Sequence, residues 1–109
     1  MAYQTIFAAL ADPTRRQVLQ HVAAGPKAVV DIAALMPISR PAVSQHLAQL
    51  KLAKLVREER SGTRHVYQID RMGVDALQSW VDLLWTEALA NLKTLSEGEH
   101  ANRSKRSKR

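Results

Sequence analysis

Between Ser39 and Ile69 the apolar period of the chain changes once, and that change restricts the fold more than any other feature of the sequence. Up to Leu52 apolar residues recur every three or four positions, as on one side of a helix. From Val56 they alternate with polar ones, as along a strand. The alternating part, "VREERSGTRHVYQI", is interrupted at "SGT", where Gly62 supplies the positive φ that a tight reversal needs. It reads as two strands, Val56 to Arg60 and Arg64 to Ile69, joined in a hairpin.

Local signals bound the helices on either side. A first short apolar helix covers Tyr3 to Leu10 and ends at "ADPTRR", where Asp12 caps and Pro13 opens a second helix, Pro13 to Ala24. Val18, Leu19 and Val22 of that helix face inward, and Gly25 and Pro26 stop it. A third helix is expected over Val30 to Met36, with Ile32, Ala33 and Leu35 apolar, before Pro37 breaks the chain. Ser39 then offers an N-cap oxygen to a fourth helix that runs to Leu50 or Leu52, and Pro41 is tolerated in its first turn. The last helix opens at Asp70 or Arg71 and runs to about Leu95, with Leu77, Val81, Leu84, Ala88, Leu92 and Leu95 in one stripe. A helix of that size is roughly 37 Å long, more than so small a domain covers from its own chain, so part of the stripe, with Trp80 or Trp85, must seek another subunit. The fold class is therefore mainly α, about five helices plus a two-stranded hairpin. Residues 1–96 form one domain and residues 97–109 a basic tail that cannot bury enough to order itself.

Composition narrows the chemistry. A chain of 109 residues is one domain with a modest core, which makes a dimer plausible before any motif is read. Its formal charge of +6 and pI near 10.2 suit a polyanionic partner. With no cysteine there is neither a disulfide nor a thiolate. The N-terminus lacks a signal layout and no apolar run approaches the ~18 residues of a membrane span, so a soluble cytoplasmic protein is expected, with no membrane partner.

The fourth helix meets the two demands of a helix that reads DNA. Val43, Leu47 and Leu50 share one side and fix it to the domain; Arg40, Ser44 and Gln45 fall on the other, with Pro41, Ala42 and His46 adjacent. Arginine can pair bidentately with guanine, glutamine with adenine, and serine with a base or phosphate. The third helix, joined through "PIS", supplies the other half of a helix-turn-helix. From residue 40 to residue 71 the chain carries seven basic and three acidic groups, Arg40, Lys51, Lys54, Arg57, Arg60, Arg64 and Arg71 against Glu58, Glu59 and Asp70. A hairpin tip bearing Arg60 and Arg64 lies against phosphates or in the minor groove while the helix occupies the major groove.

"ALADPTRRQVLQHV", "ISRPAVSQHLAQLKLAKLVREERSGTRHVYQID" and the long last helix together resemble the ArsR/SmtB family of winged helix-turn-helix transcriptional repressors over about Phe7 to Leu95. The resemblance implies a homodimer on a partly palindromic operator in duplex DNA, with half-sites about one helical turn apart. It places Ser39, Arg40, Pro41, Ser44, Gln45, His46, Lys51, Arg60 and Arg64 at the DNA, and Phe7, Leu77, Trp80, Val81, Leu84, Trp85, Ala88 and Leu92 at the subunit interface. Repression, rather than activation, rests on the resemblance alone.

Similar proteins that sense metals carry a "C-V-C-D-L" thiolate pattern. The matching stretch is Ala28, Val29, Val30, Asp31 and Ile32, so both ligand positions are aliphatic. The last helix offers Asp75, Asp82 and Glu87 without a histidine, and His21, His46, His65 and His100 are scattered, so no metal and no cofactor is expected. Nothing supports catalysis: Ser39 or Ser44 near His46 makes a serine-histidine pair without an oriented third group. Trp80, Leu84 and Trp85 fit a dimer core better than a small-molecule pocket, and the identity of any inducer stays open. An RNA-associated winged helix and a protein-interaction module are the alternatives.

Overall fold

The computed structural model describes the backbone of residues 3–107 and the side chains up to residue 98. In chain order the elements are α1 (Tyr3–Leu10), α2 (Pro13–Ala23), α3 (Val29–Ala34), α4 (Arg40–Leu52), β1 (Val56–Ser61), β2 (Arg64–Ile69) and α5 (Arg71–Ser107). Five helices and one two-stranded antiparallel sheet form a winged helix-turn-helix, as the change of period requires. Residues up to Leu77 form one compact unit and α5 from Gln78 onward another, and each is described by itself.

The first unit is built around a single core. Ile6 and Ala9 of α1, Val18 and Val22 of α2, Ile32 of α3, and Val43, Leu47 and Leu50 of α4 meet Met36, Ala53, Leu55 and Val56 there. The "DPTRR" motif explains how α1 and α2 are held. The Asp12 carboxylate accepts from the Thr14 and Arg15 amides at 2.8 and 3.2 Å, capping α2 at its start. The Arg15 and Arg16 guanidiniums reach back to the last carbonyls of α1, Arg16 to Leu10 at 2.6 Å and Arg15 to Ala8 and Ala9 at 3.3 and 3.4 Å. One corner thus satisfies the orphan donors of one helix and the orphan acceptors of the other. Those backbone hydrogen bonds, from Arg15 first, hold the Asp12 carboxyl below the ordinary carboxylate range.

Two sequence expectations are corrected. The third helix, expected to run to Met36, ends at Ala34: Leu35 is its C-cap and its side chain is 55 % exposed. The Leu35 amide bonds to the Ile32 carbonyl, which tightens the last turn and brings Met36 into the core instead. The last helix does not stop at Leu95 but continues to Ser107. Most of the basic tail expected over residues 97–109 has side chains outside the described residues, and residues 108 and 109 lie outside them altogether.

The hairpin pairs Val56 with Ile69 and Ser61 with Arg64, turning at Gly62, whose φ is 66°. A third short pairing, invisible to the periodicity, binds it to the helices: Lys27 and Tyr67 exchange both backbone hydrogen bonds, at 3.0 and 2.8 Å. Its far end is closed against α4. The Asp70 amide bonds to the Leu55 carbonyl at 3.0 Å and the Gly73 amide to the Lys54 carbonyl at 2.7 Å. This junction contains the one non-glycine residue with positive φ among those described, Lys54 at 60°. It also demands glycine at position 73, where a Cβ would stand 2.6 Å from the Ala53 carbonyl oxygen and closer still to that of Lys54. Gly73→Ala is therefore expected to destabilise the fold by about 1–3 kcal/mol. Lys54→Gly, which relieves a left-handed side chain at some entropic cost, is expected to stabilise it by roughly 0.5 to 1 kcal/mol. Urea unfolding of both variants at one protein concentration measures the difference.

Candidate nucleic-acid interface

α4 is positioned by its inner side. Val43, Leu47 and Leu50 are each 0 % exposed, so rotating the helix about its axis would take three core residues into water. The Ser39 hydroxyl accepts from the Ala42 amide at 3.3 Å and sets where the helix begins, with Pro41 in its first turn. Arg40, Pro41, Ser44 and Gln45 are all exposed. By helical spacing Gln45 lies farthest from the core side, and Arg40, Ser44 and Lys51 run along one flank.

His46 does not join them. It is half-buried, its Nδ1 is enclosed without a hydrogen-bond partner, and it stands close enough to Asp12 for its charge to lower the carboxyl of that residue. The reason is rotation: at a spacing of three from Val43 and four from Leu50 it shares their side of the helix. Two residues absent from the sequence-derived set take the outer side instead, Ala48 and Leu52, at three and seven positions from Gln45. The signal that finds them is the spacing read outward from the buried stripe.

The hairpin is clamped at two points beyond its backbone pairing. Glu58 of β1 accepts from the Tyr67 hydroxyl at 2.7 Å, meets the His65 Nδ1 at 2.5 Å, and lies 3.8 Å from the Lys51 ammonium of α4. The bond from Tyr67, then that from His65, holds the Glu58 carboxyl below its usual value. In return Tyr67, partly desolvated and facing that carboxylate, is pushed up to about 12. On α3, Asp31 accepts from the Ala28 amide at 3.3 Å and forms a close ion pair with Arg64 of β2. Arg64 and Lys51 are thus engaged within the protein. Arg40 and Arg60 are exposed and make no ion pair or side-chain hydrogen bond among the described residues.

The helix-turn-helix presents its hairpin and α4 as one braced body carrying a surplus of cations. In the second unit, Val81, Leu84, Trp85, Ala88, Leu92 and Leu95 share one side of α5, and all but Ala88 are between 46 % and 61 % exposed. Trp80 and Leu77 are partly buried and Phe7 of α1 is 37 % exposed. Among the described residues no three or more His, Asp or Glu side chains converge as a cation site, and no helix is long and apolar enough to cross a membrane.

Comparison with known proteins places this architecture. A family model described as "Helix-turn-helix domain" matches residues 10–59. The chain is similar to the HTH-type transcriptional regulator Rv2034 of Mycobacterium tuberculosis, at 50 % identity over 91 residues, covering 84 % of this chain and 85 % of that protein. It is similar to the transcriptional repressor SdpR of Bacillus subtilis at 33 % identity, covering 70 % and 84 %. Among solved structures it resembles the homodimeric winged helix-turn-helix domain of Mb0332 from Mycobacterium bovis, a possible ArsR-family regulator. That likeness has a TM-score of 0.64 and 33 % identity, and covers 78 % of this chain and 79 % of that one. The protein belongs to the ArsR/SmtB family of winged helix-turn-helix transcriptional repressors.

Proposed function

We propose that two copies of the chain bind a partly palindromic operator and occlude a promoter, its own among the candidates. The observation that carries this reading is α4: three fully buried residues fix its rotation while Arg40, Ser44 and Gln45 stay open to solvent. Arg40, Ser44 and Gln45 read base edges, Ser39 and Pro41 shape the entry of the helix into the groove, and His46 supports the helix from behind. Arg60 holds the backbone, with Lys51 and Arg64 able to exchange their exposed protein partners for phosphates. Exposed ion pairs are worth only about 0–1 kcal/mol, so such an exchange costs little. Self-association is supported by the uncovered apolar side of α5 and by the homodimeric assembly of the Mycobacterium bovis relative.

The test is fluorescence anisotropy on the duplex just upstream of the coding region against a shuffled duplex, over a salt series and with and without a chelator. Sedimentation of the free protein accompanies it. The expected result is a particle of twice the chain mass and steeply salt-dependent binding that prefers the native duplex and ignores the chelator. Equal weak binding to both duplexes, or a monomer, contradicts the reading. Gln45→Ala is expected to cost ~1 to 3 kcal/mol and to blur one operator position. Arg60→Ala should weaken all sequences alike and lower the salt slope by about one.

The Arg64–Asp31 pair yields a separate expectation. Asp31→Asn keeps an acceptor for the Ala28 amide but frees the guanidinium, so binding should tighten on specific and shuffled duplexes together. Unchanged affinity on both would mean that Arg64 never leaves the protein.

The second clamp is sensitive to pH, and the sign follows from its two partners. Glu58 is lowered from 4.5, so its contribution is present above that value and fades as pH falls below it. Tyr67 is raised from 10.0, so its contribution is complete below pH 10.0 and lost as pH rises through about 12. In a Tyr3→Phe background, phenolate absorbance should titrate near 12, and Glu58→Gln should bring the midpoint back toward 10.0.

A further inference from the structure

We infer that Ala48 and Leu52 form an apolar strip on the outer side of α4 that receives the 5-methyl groups of thymine, next to the adenine-reading position Gln45. This rests on α4 being the groove helix and says which bases that helix selects.

The strip is a consequence of the core. With Val43, Leu47 and Leu50 all buried, positions 45, 48 and 52, spaced by three and four, stack on the opposite side, and all three are exposed. Leu52 is 66 % exposed, the highest value among the large apolar residues described. It lies in a shallow hollow of about 440 Å³ lined by Ala48, Lys51, Leu52 and Lys54. The hollow has an apolar floor, two ammonium groups at its walls, and no hydrogen-bond-accepting side chain. Lys51 keeps 56 % of its side chain exposed despite its contact with Glu58, so both walls face solvent.

That combination discriminates among occupants. In the major groove each base edge offers acceptors or donors that an alanine and a leucine cannot satisfy, and thymine alone adds a methyl group that they can cover. Phosphates on either side of the groove then meet the lysines. The spacing is compatible: three residues of helix rise ~4.5 Å and seven ~10.5 Å, against a base step of ~3.4 Å. Read from Gln45, the methyl contacts fall within about one and about three steps of the adenine. The half-site selected is an adenine followed on one side by thymines, about one and about three steps away, whose methyls line one wall of the groove.

The experiment uses the full chain to select duplexes from a random library, then replaces each thymine of the enriched half-site singly by deoxyuridine, which removes only the methyl. At one or two positions the affinity should fall about fourfold, the equivalent of one methyl no longer buried. The uracil penalty should vanish at one of them in Leu52→Ala and at the other in Ala48→Ser. Both sites are solvent-exposed, and circular dichroism verifies that the variants fold. Enriched sites that ignore uracil everywhere, or penalties that persist in both variants, overturn the assignment and leave the hollow to another partner, such as a protein. Failure to enrich any sequence removes the groove-helix reading itself and this assignment with it.

Discussion

The burial of Val43, Leu47 and Leu50 governs everything that α4 does. Each is completely enclosed, and a side chain of that size contributes about 1.5–3 kcal/mol when it leaves water. A small rotation of the helix would forfeit several such contributions together, so the outer residues are held at fixed angles without any direct contact of their own. The orientation of the outer side is in this sense stored in the core. The same restraint explains why His46, chemically suited to a phosphate or a base, is withdrawn toward α2.

The charge excess of the chain is less available than its formal value suggests. Arg15 and Arg16 cap the end of α1, Lys27 donates to the His21 carbonyl at 2.7 Å, and Arg64 and Lys51 hold acidic partners. These cations are employed in building the fold, while Arg40 and Arg60 stand open to solvent. The wing is consequently braced by side chains of the same type it presents outward, and its stiffness and its electrostatics are adjusted by the same residues.

What was legible in the sequence was what is decided locally. Asp12 and Ser39 were readable as caps because a cap needs only the amides two or three residues ahead, and Gly62 was readable because the turn it serves spans its immediate neighbours. The inward stripes of α2 and α4 were equally plain, since 3.6-residue periodicity is a property of the helix itself. Leu35, Gly73 and the Lys27–Tyr67 pairing were not. Each depends on where distant segments meet: a helix that ends a turn early, a backbone approach with no space for a Cβ, a ladder between residues forty positions apart. Of the candidate site, the bounds and buried stripe of α4 were visible and its outermost side was not. The choice of polar residues as contacts drew attention to Arg40 and Ser44 and away from Ala48 and Leu52, whose outward position shows only once the buried side fixes the angle.

The junction of Leu55 with Asp70 and of Lys54 with Gly73 makes the hairpin an excursion with closed ends. The chain leaves the helical body at one point and returns to it within a single hydrogen bond of where it left. Closing a loop depends only weakly on its length, roughly 0.6 kcal/mol for each doubling. Only the tip from Arg60 to Thr63, beyond the contacts of Glu58, Arg64, His65 and Tyr67, can therefore be lengthened, shortened or recharged while the core keeps its packing. A fold arranged in this way can change the tip of its wing with α4 left in place, and the glycine at position 73 is the hinge-pin that keeps the closed end of the hairpin seated while the tip varies.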